Sequence, residues 1–276
     1  MLLNIILIST GVFQSYLLDN IRQLIKLDYD NIVIITDKKF AYKLEEFTGK
    51  INIIFTEDLP LDFDNKSKLN KSFREGFWHN TSKRLFYLYA CMKKYNLTDC
   101  IHIENDVLLY KKFYKEDFGF KMWITMDEKN RCIPGIIFIP NYKFMNNLIN
   151  NYNYTCNDMI NMCLFYYANQ KICYTFPIIK QNSLYNENNM YNKNFDTFNG
   201  IFDGAAIGQY LGGVDPRNIP GNTIGFINET CVVKYNNYIF KNITVDNKCP
   251  MISIDGMEYP IYNLHIHSKD LKLFLI

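Results

Sequence analysis

Ile101-His102-Ile103-Glu104-Asn105-Asp106-Val107-Leu108-Leu109-Tyr110 is an apolar run that breaks for two acids and an amide, then resumes. Ile101, Ile103, Val107, Leu108 and Leu109 read as a strand buried on both faces. An unpaired carboxylate in such a setting is costly, so the two acids require a compensating charge. Hard divalent cations such as Mg²⁺ or Mn²⁺ take carboxylate oxygens, often sharing them with substrate phosphates. The stretch therefore predicts a metal–diphosphate site at the end of a central strand. A solvated acidic turn is the plain alternative.

Upstream, the chain alternates strands and helices. Asn4–Ile8 reads as a first strand ending at the polar turn Ser9-Thr10-Gly11. Tyr16, Leu17, Ile21, Leu24 and Ile25 have helical spacing within residues 12–27. Asn31–Thr36 is a second strand, stopped by Asp37, and Ile51–Phe55 a third, with a short helix over Phe40–Phe47 between them. Residues 57–78 read as a loop over the site. A helix over Thr81–Tyr95 carries Lys83 and Arg84 in its first turn. This pattern predicts an α/β fold with a mostly parallel central sheet flanked by helices, in which ligands bind beyond the carboxyl ends of the strands. Ser9, Thr10, Asp37 and Glu104–Asp106 all fall at such ends.

Downstream, strands are expected over Lys121–Met126 and over Ile133–Pro140, with Pro134 marking the start of that strand or a bulge. Helical spacing recurs over Tyr142–Asn150 and Asp158–Ala168, and a further helix is expected over 204–211. Short strands are expected at Ile224–Ile227, Cys231–Tyr235, Ile239–Val245 and Tyr262–His267. The chain reads as one domain over 1–276, with a nucleotide-binding half over about 1–110 and an acceptor-side half over about 111–276.

Composition narrows the function. A chain of 276 residues with 48% hydrophobic content can bury a large core. The net charge of +2 comes with no long basic run, so nucleic acid is not an expected partner. The eight Cys form no C-x-x-C pair and most sit in apolar stretches, which fits buried thiols and a cytoplasmic protein. The apolar start at residues 1–8 is short and lacks a basic flank, so it reads as a strand and not a signal peptide. No apolar run is long enough for a transmembrane segment. The abundance of Asn, Lys, Ile and Tyr suggests AT-rich coding DNA, as in some large viruses or protists. A viral origin would put the protein in host cytoplasm or virion.

In this order, the motifs resemble the GT-A type of nucleotide-sugar glycosyltransferase. Glu104-Asn105-Asp106 stands where that family has Asp-x-Asp, Pro134-Gly135 follows as the small step in the next strand, and Leu264-His265-Ile266-His267-Ser268-Lys269 closes the chain as the C-terminal His and Lys. Two departures are the Glu in the first acidic position and the short His-x-His-Ser-Lys. The resemblance implies a metal-dependent hexosyl- or N-acetylhexosaminyltransferase. Its donor would be a nucleoside diphosphate sugar, expected to be UDP-sugar, and its acceptor a hydroxyl of a glycan or glycoprotein.

Each site residue has an expected part. Asp106 binds Mn²⁺ or Mg²⁺, and a histidine, His265 or His267 with His267 preferred, completes the metal shell while the other supports it or meets a phosphate. Glu104 and Asn105 lie toward the ribose or the metal, and Lys269 binds the diphosphate. Ser9, Thr10 and Asp37 lie where base and ribose would sit, with capping and turn formation as their ordinary roles. Arg84 reaches the diphosphate or holds Asp106, with an exposed helix position as its plain alternative. Asp203 is the catalytic candidate on the acceptor side, as a base for the acceptor hydroxyl, with a helix cap as its plain alternative.

Two other classes compete, a sugar-nucleotide pyrophosphorylase and a non-catalytic glycan-binding protein of the same fold. The first lacks its Gly-rich, Arg-containing loop, since the first turn is Ser9-Thr10-Gly11-Val12-Phe13. The second has no need of both the acidic and the His-Lys motifs. A homodimer is the candidate assembly.

Overall fold

The computed structural model describes residues 3–241 and 249–276. Its centre is a seven-stranded sheet in the order β3-β2-β1-β4-β7-β6-β8. The strands are β1 (Asn4–Ser9), β2 (Asn31–Thr36), β3 (Asn52–Phe55), β4 (Thr98–Ile103), β6 (Met122–Glu128), β7 (Arg131–Asn141) and β8 (Cys173–Thr175). A short β5 (Val107–Leu109) leaves the sheet after β4. All but β7 run the same way, because β7 pairs antiparallel with both β4 and β6 while the remaining pairs are parallel. The expected mostly parallel α/β sheet is therefore present.

Side-chain alternation along the strands supplies both faces. Ile5 and Leu7 of β1 with Ile32 and Ile34 of β2 face α1 (Tyr16–Lys26) and the 3₁₀ segment Lys38–Phe47. Ile6, Ile8, Val33 and Ile35 face the other way. They pack in one core with α3 (Phe77–Lys94), α4 (Tyr142–Asn150) and α5 (Asp158–Ala168) through Leu85, Leu88, Met92, Met145, Leu148 and Phe165. A short α2 (Phe63–Lys66) precedes α3. The helix α3 starts four residues earlier than expected, so Arg84 stands two turns in. Pro134 sits inside β7, where the β6–β7 register shifts between Trp123 and Thr125, so the bulge reading holds.

The chain leaves β1 toward β2 and β3, then returns to the other side of β1 as β4. This reversal opens a crevice at the carboxyl ends of β1 and β4. Glu104-Asn105-Asp106 forms the turn between β4 and β5, closed by Val107 N–H donating to the Glu104 carbonyl at 3.0 Å.

After α6 (Phe195–Phe198) and α7 (Ala206–Gly212) come β9 (Ile239–Lys241), β10 (Met251–Ile254), β11 (Met257–Pro260) and β12 (Asn263–His265). The first three form a small antiparallel sheet, and β12 pairs antiparallel with β5. The segments expected as strands at 224–227 and 231–235 are turns instead. Asn222 and Asn228 accept the backbone N–H groups of Ile224 and Thr230 in side-chain turns that compete with strand pairing. The expected strand from Ile239 is described only to Lys241, and the rest lies outside the described residues. All eight cysteines are free thiols. Among the described residues no helix is long and apolar enough to cross a membrane.

Candidate metal centre

The site is assembled by the β5–β12 ribbon. Leu108 pairs with Leu264 and Val107 with His265, and Ile266 N–H continues the ladder to the Asp106 carbonyl at 2.8 Å. Val107, Leu108, Leu109 and Leu264 are fully buried. At roughly 1.5–3 kcal/mol for each such side chain, their burial fixes the register. That register places His265 directly against the acidic turn.

His265 Nε2 lies 3.1 Å from Glu104 Oε2 and 3.4 Å from Asp106 Oδ2. One ligand atom from each of the three residues falls within a 4.8 Å cluster. The other ring nitrogen, Nδ1, lies 2.7 Å from the Gly204 carbonyl. A carbonyl only accepts, so Nδ1 carries a proton and donates it. Nε2 is thereby aimed at the carboxylates, the usual arrangement behind a metal-bound imidazole. Two carboxylates and one imidazole suit a Mn²⁺- or Mg²⁺-type cation, with the nitrogen shifting the balance away from Mg²⁺.

Glycines make room for the ring. A Cβ on Gly135 would lie 2.9 Å from His265 Nδ1, and one on Gly208 would lie 2.0 Å from the His265 carbonyl oxygen. The Pro134-Gly135 step thus has a steric reason. Gly135 also accepts Glu104 N–H at 2.9 Å.

The charges are balanced from outside the cluster. Arg84 bonds Glu104 Oε1, and Lys269 bonds Asp106 Oδ2. Burial alone would raise the Asp106 pKa, but Lys269 and His265 outweigh it and hold it well below the usual carboxylate range. Glu104 is lowered too, as Arg84 and His265 overcome its burial. Burial disfavours the His265 imidazolium, but Asp106 and Glu104 more than offset this and hold its pKa up at about 10. A proton on His265 therefore belongs to the metal-free state.

His267, the histidine preferred from the sequence, stands apart from the ligand cluster, and His265 takes that place. The His267 ring lies 4.3 Å from that of His265, centroid to centroid, and tilted by 43° to it, and its Nδ1 lies 3.4 Å from Gln209 Nε2. Burial, then the neighbouring His265 charge, push its pKa down to about 3, so it is neutral.

Asp203 sits behind the site. Oδ1 accepts Ile207 N–H at 3.0 Å, and Oδ2 accepts Gly208 N–H at 2.8 Å and His265 N–H at 2.9 Å. The residue is 1% exposed. Burial pushes its pKa up to about 6. A general base must reach the proton it takes. Asp203 instead caps the start of α7 and fastens it to β12.

The remaining candidates lie around the β1 and β2 ends. Asn105 turns its amide to the Ile8 carbonyl at 2.9 Å and to Gln14 Oε1 at 2.6 Å, away from the ligand cluster. Ser9 is buried, and its carbonyl accepts Thr36 Oγ1–H at 2.8 Å. Thr10 closes a turn by accepting Val12 N–H at 2.9 Å. Asp37 accepts from Gly11 N–H and Thr56 Oγ1–H, both at 2.8 Å, tying the loops after β1 and β3 together.

Two supporting residues carry no motif. Asp158, at the start of α5, accepts Thr81 Oγ1–H at 3.0 Å and lies 4.0 Å from the same Arg84 nitrogen that bonds Glu104, so it is a second carboxylate beside the guanidinium. Nothing in its local sequence marks it, since an acid at a helix start is ordinary. Asn20 on α1 donates to the Asn105 and Val107 carbonyls at 3.0 and 2.9 Å and so fixes the acidic turn. A signal existed there, because Asn20 lies on the apolar stripe of Leu17, Ile21 and Leu24.

No protein-family model and no curated protein matches the sequence. Solved structures similar in fold include glycosyltransferases and nucleotidyltransferases. The PaToxG glycosyltransferase is 17% identical, with 60% of this chain and 68% of that chain covered and a TM-score of 0.35. Mouse xyloside xylosyltransferase 1 is 10% identical, with 64% and 85% covered and a TM-score of 0.41. A CTP:phosphocholine cytidylyltransferase from Streptococcus pneumoniae is 12% identical, with 63% and 90% covered and a TM-score of 0.37. TM-scores below 0.5 at such identities carry no argument for activity.

Proposed function

We propose that the protein is a metal-dependent GT-A-type glycosyltransferase. It moves a hexosyl or N-acetylhexosaminyl group from a nucleoside diphosphate sugar, UDP-linked in this reading, to a hydroxyl of a glycan or glycoprotein. The observation that carries the proposal is the Glu104–Asp106–His265 ligand set at the carboxyl end of β4, with Nε2 aimed by the Gly204 carbonyl.

Glu104, Asp106 and His265 hold Mn²⁺ or Mg²⁺. Such an ion, when bound, acts as a Lewis acid that offsets charge on the departing diphosphate. Arg84 orients Glu104 through Oε1. Lys269 supplies a point charge for the diphosphate. Asp203 is a positioning residue, holding His265 and α7 in register from behind. Thr10 and Asp37 lie on the donor side at the ends of β1 and β2, while Ser9 is buried beneath them.

The test is UDP-sugar hydrolysis and Mn²⁺-dependent UDP binding by the wild type and by Asp106→Ala. Loss of both in the variant is expected. Unchanged metal-dependent nucleotide binding in Asp106→Ala sinks the assignment.

A further inference from the structure

Glu104 and Asp106 are neutralised in different ways. Arg84 takes Glu104 by Oε1, while Oε2 is the oxygen facing His265. Lys269 takes Asp106 by Oδ2, the same oxygen that faces His265. One cation therefore sits beside the ligand set, and the other sits on it.

The two also differ in what holds them. Arg84 lies on the long helix α3, with the Thr81 carbonyl 3.5 Å and Asp158 4.0 Å away as further partners. Lys269 lies beyond β12 in a turn, with its backbone at φ 68°, its ammonium 5.8 Å from the Tyr16 ring centroid and its side chain 25% exposed against 18% for Arg84. Its ammonium can swing outward without moving an element of the sheet. An ammonium and a divalent ion on one carboxylate oxygen would repel at contact distance.

We propose that Lys269 is an exchangeable counter-ion, an inference that rests on the metal-centre reading above. It holds Asp106 while no metal is bound. Metal binding releases its ammonium to the mouth of the site, where a diphosphate takes it up. Asp215, a carboxylate within electrostatic reach of Lys269, is already held by Arg217 at 2.7 Å and Arg74 at 3.3 Å. The freed charge is thus left for an incoming anion. Metal and diphosphate then bind with positive coupling, and each raises the affinity of the other by the same factor.

The experiment is a Mn²⁺ titration, read by electron paramagnetic resonance, of the full chain with and without UDP. It compares wild type, Lys269→Met and Lys272→Met, the last removing an exposed charge nearby. Without UDP, Lys269→Met binds Mn²⁺ about tenfold tighter than wild type, and Lys272→Met binds it as wild type does. UDP tightens Mn²⁺ binding about tenfold in wild type and far less in Lys269→Met. Equal or weaker Mn²⁺ binding by Lys269→Met, or equal coupling, overturns the exchange and leaves the metal centre standing. Absence of Mn²⁺ binding in every protein overturns both.

A second readout needs no variant. Acetylation of Lys269 in the wild type, followed by mass spectrometry, speeds several-fold with saturating Mn²⁺ relative to Lys272. An unchanged or slower rate overturns the exchange.

Discussion

His265 donates Nδ1–H to the Gly204 carbonyl across 2.7 Å, and this single bond decides which face of the imidazole meets Glu104 and Asp106. The relationship is built from three sides. Gly135 leaves space for the ring, Asp203 holds the His265 backbone, and β5 sets the register.

The first prediction concerns that space. Gly135→Ala puts a methyl group 2.9 Å from His265 Nδ1 and turns the ring away from the carboxylates. Mn²⁺ affinity is expected to fall by about 10–100-fold, the usual effect of disturbing a ligand's supporting contacts. Isothermal titration calorimetry checks it, with circular dichroism to confirm the fold. Unaltered affinity in a folded variant argues against His265 as a ligand.

Metal affinity depends on pH in a direction the site dictates. His265, held up at about 10, is protonated in the metal-free protein across the neutral range, and a cation must displace that proton. Apparent Mn²⁺ affinity is expected to rise about tenfold per pH unit between roughly pH 6 and 8, with one proton released per ion. Calorimetry in buffers of different ionisation enthalpy counts the proton. A flat profile contradicts the arrangement.

Stability of the metal-free protein follows the opposite sign. The His265 pKa is raised from 6.5 to about 10, so its contribution is complete below 6.5 and is lost as pH rises through 10. Glu104 and Asp106 are depressed, so theirs is present above the ordinary carboxylate range and is lost on acidification. The cluster therefore contributes most between roughly pH 5 and 6.5. Melting temperatures across pH 4–10 check this, against His265→Gln, which flattens the alkaline limb.

Asp203→Asn separates a structural from a catalytic carboxylate. As a cap with three backbone donors, Asp203 contributes to stability, and the variant is expected to lose roughly 1–3 kcal/mol in urea denaturation. A base for the acceptor would leave stability intact and lower turnover alone. That pattern would return Asp203 to the chemistry.

Gly208→Ala is expected to be the more damaging glycine substitution. Its Cβ would meet the His265 carbonyl oxygen at 2.0 Å, and backbone on both α7 and β12 would have to part. A loss above about 3 kcal/mol is expected, as for the severe class of packing changes. Urea midpoints of Gly208→Ala and Gly135→Ala, measured together, test the ranking.

Much of the frame was legible from residue order. Continuous apolar runs mark β1, β2 and β4, and helical spacing marks α4 and α5 with their final boundaries and α1 with a start four residues too early, because burial on two faces and on one stripe leave different periods. The Asn-rich turns at 224–235 have the residue pattern of strands but form none. Ile224 and Phe226, and Cys231, Val233 and Tyr235, have strand spacing, but side-chain amides of Asn222 and Asn228 capture the backbone donors locally.

By itself, the sequence determined that two carboxylates would stand at the end of a buried strand and that a histidine–lysine segment would close the chain. It could not choose between His265 and His267, which share a strand face by the period of two. Only the tertiary structure chose. Pairing of β12 with β5 sets Val107 against His265, and Gly135 and Gly204 receive the His265 ring. The choice depends on contacts between residues at least 61 positions apart, and local periodicity carries no information about them.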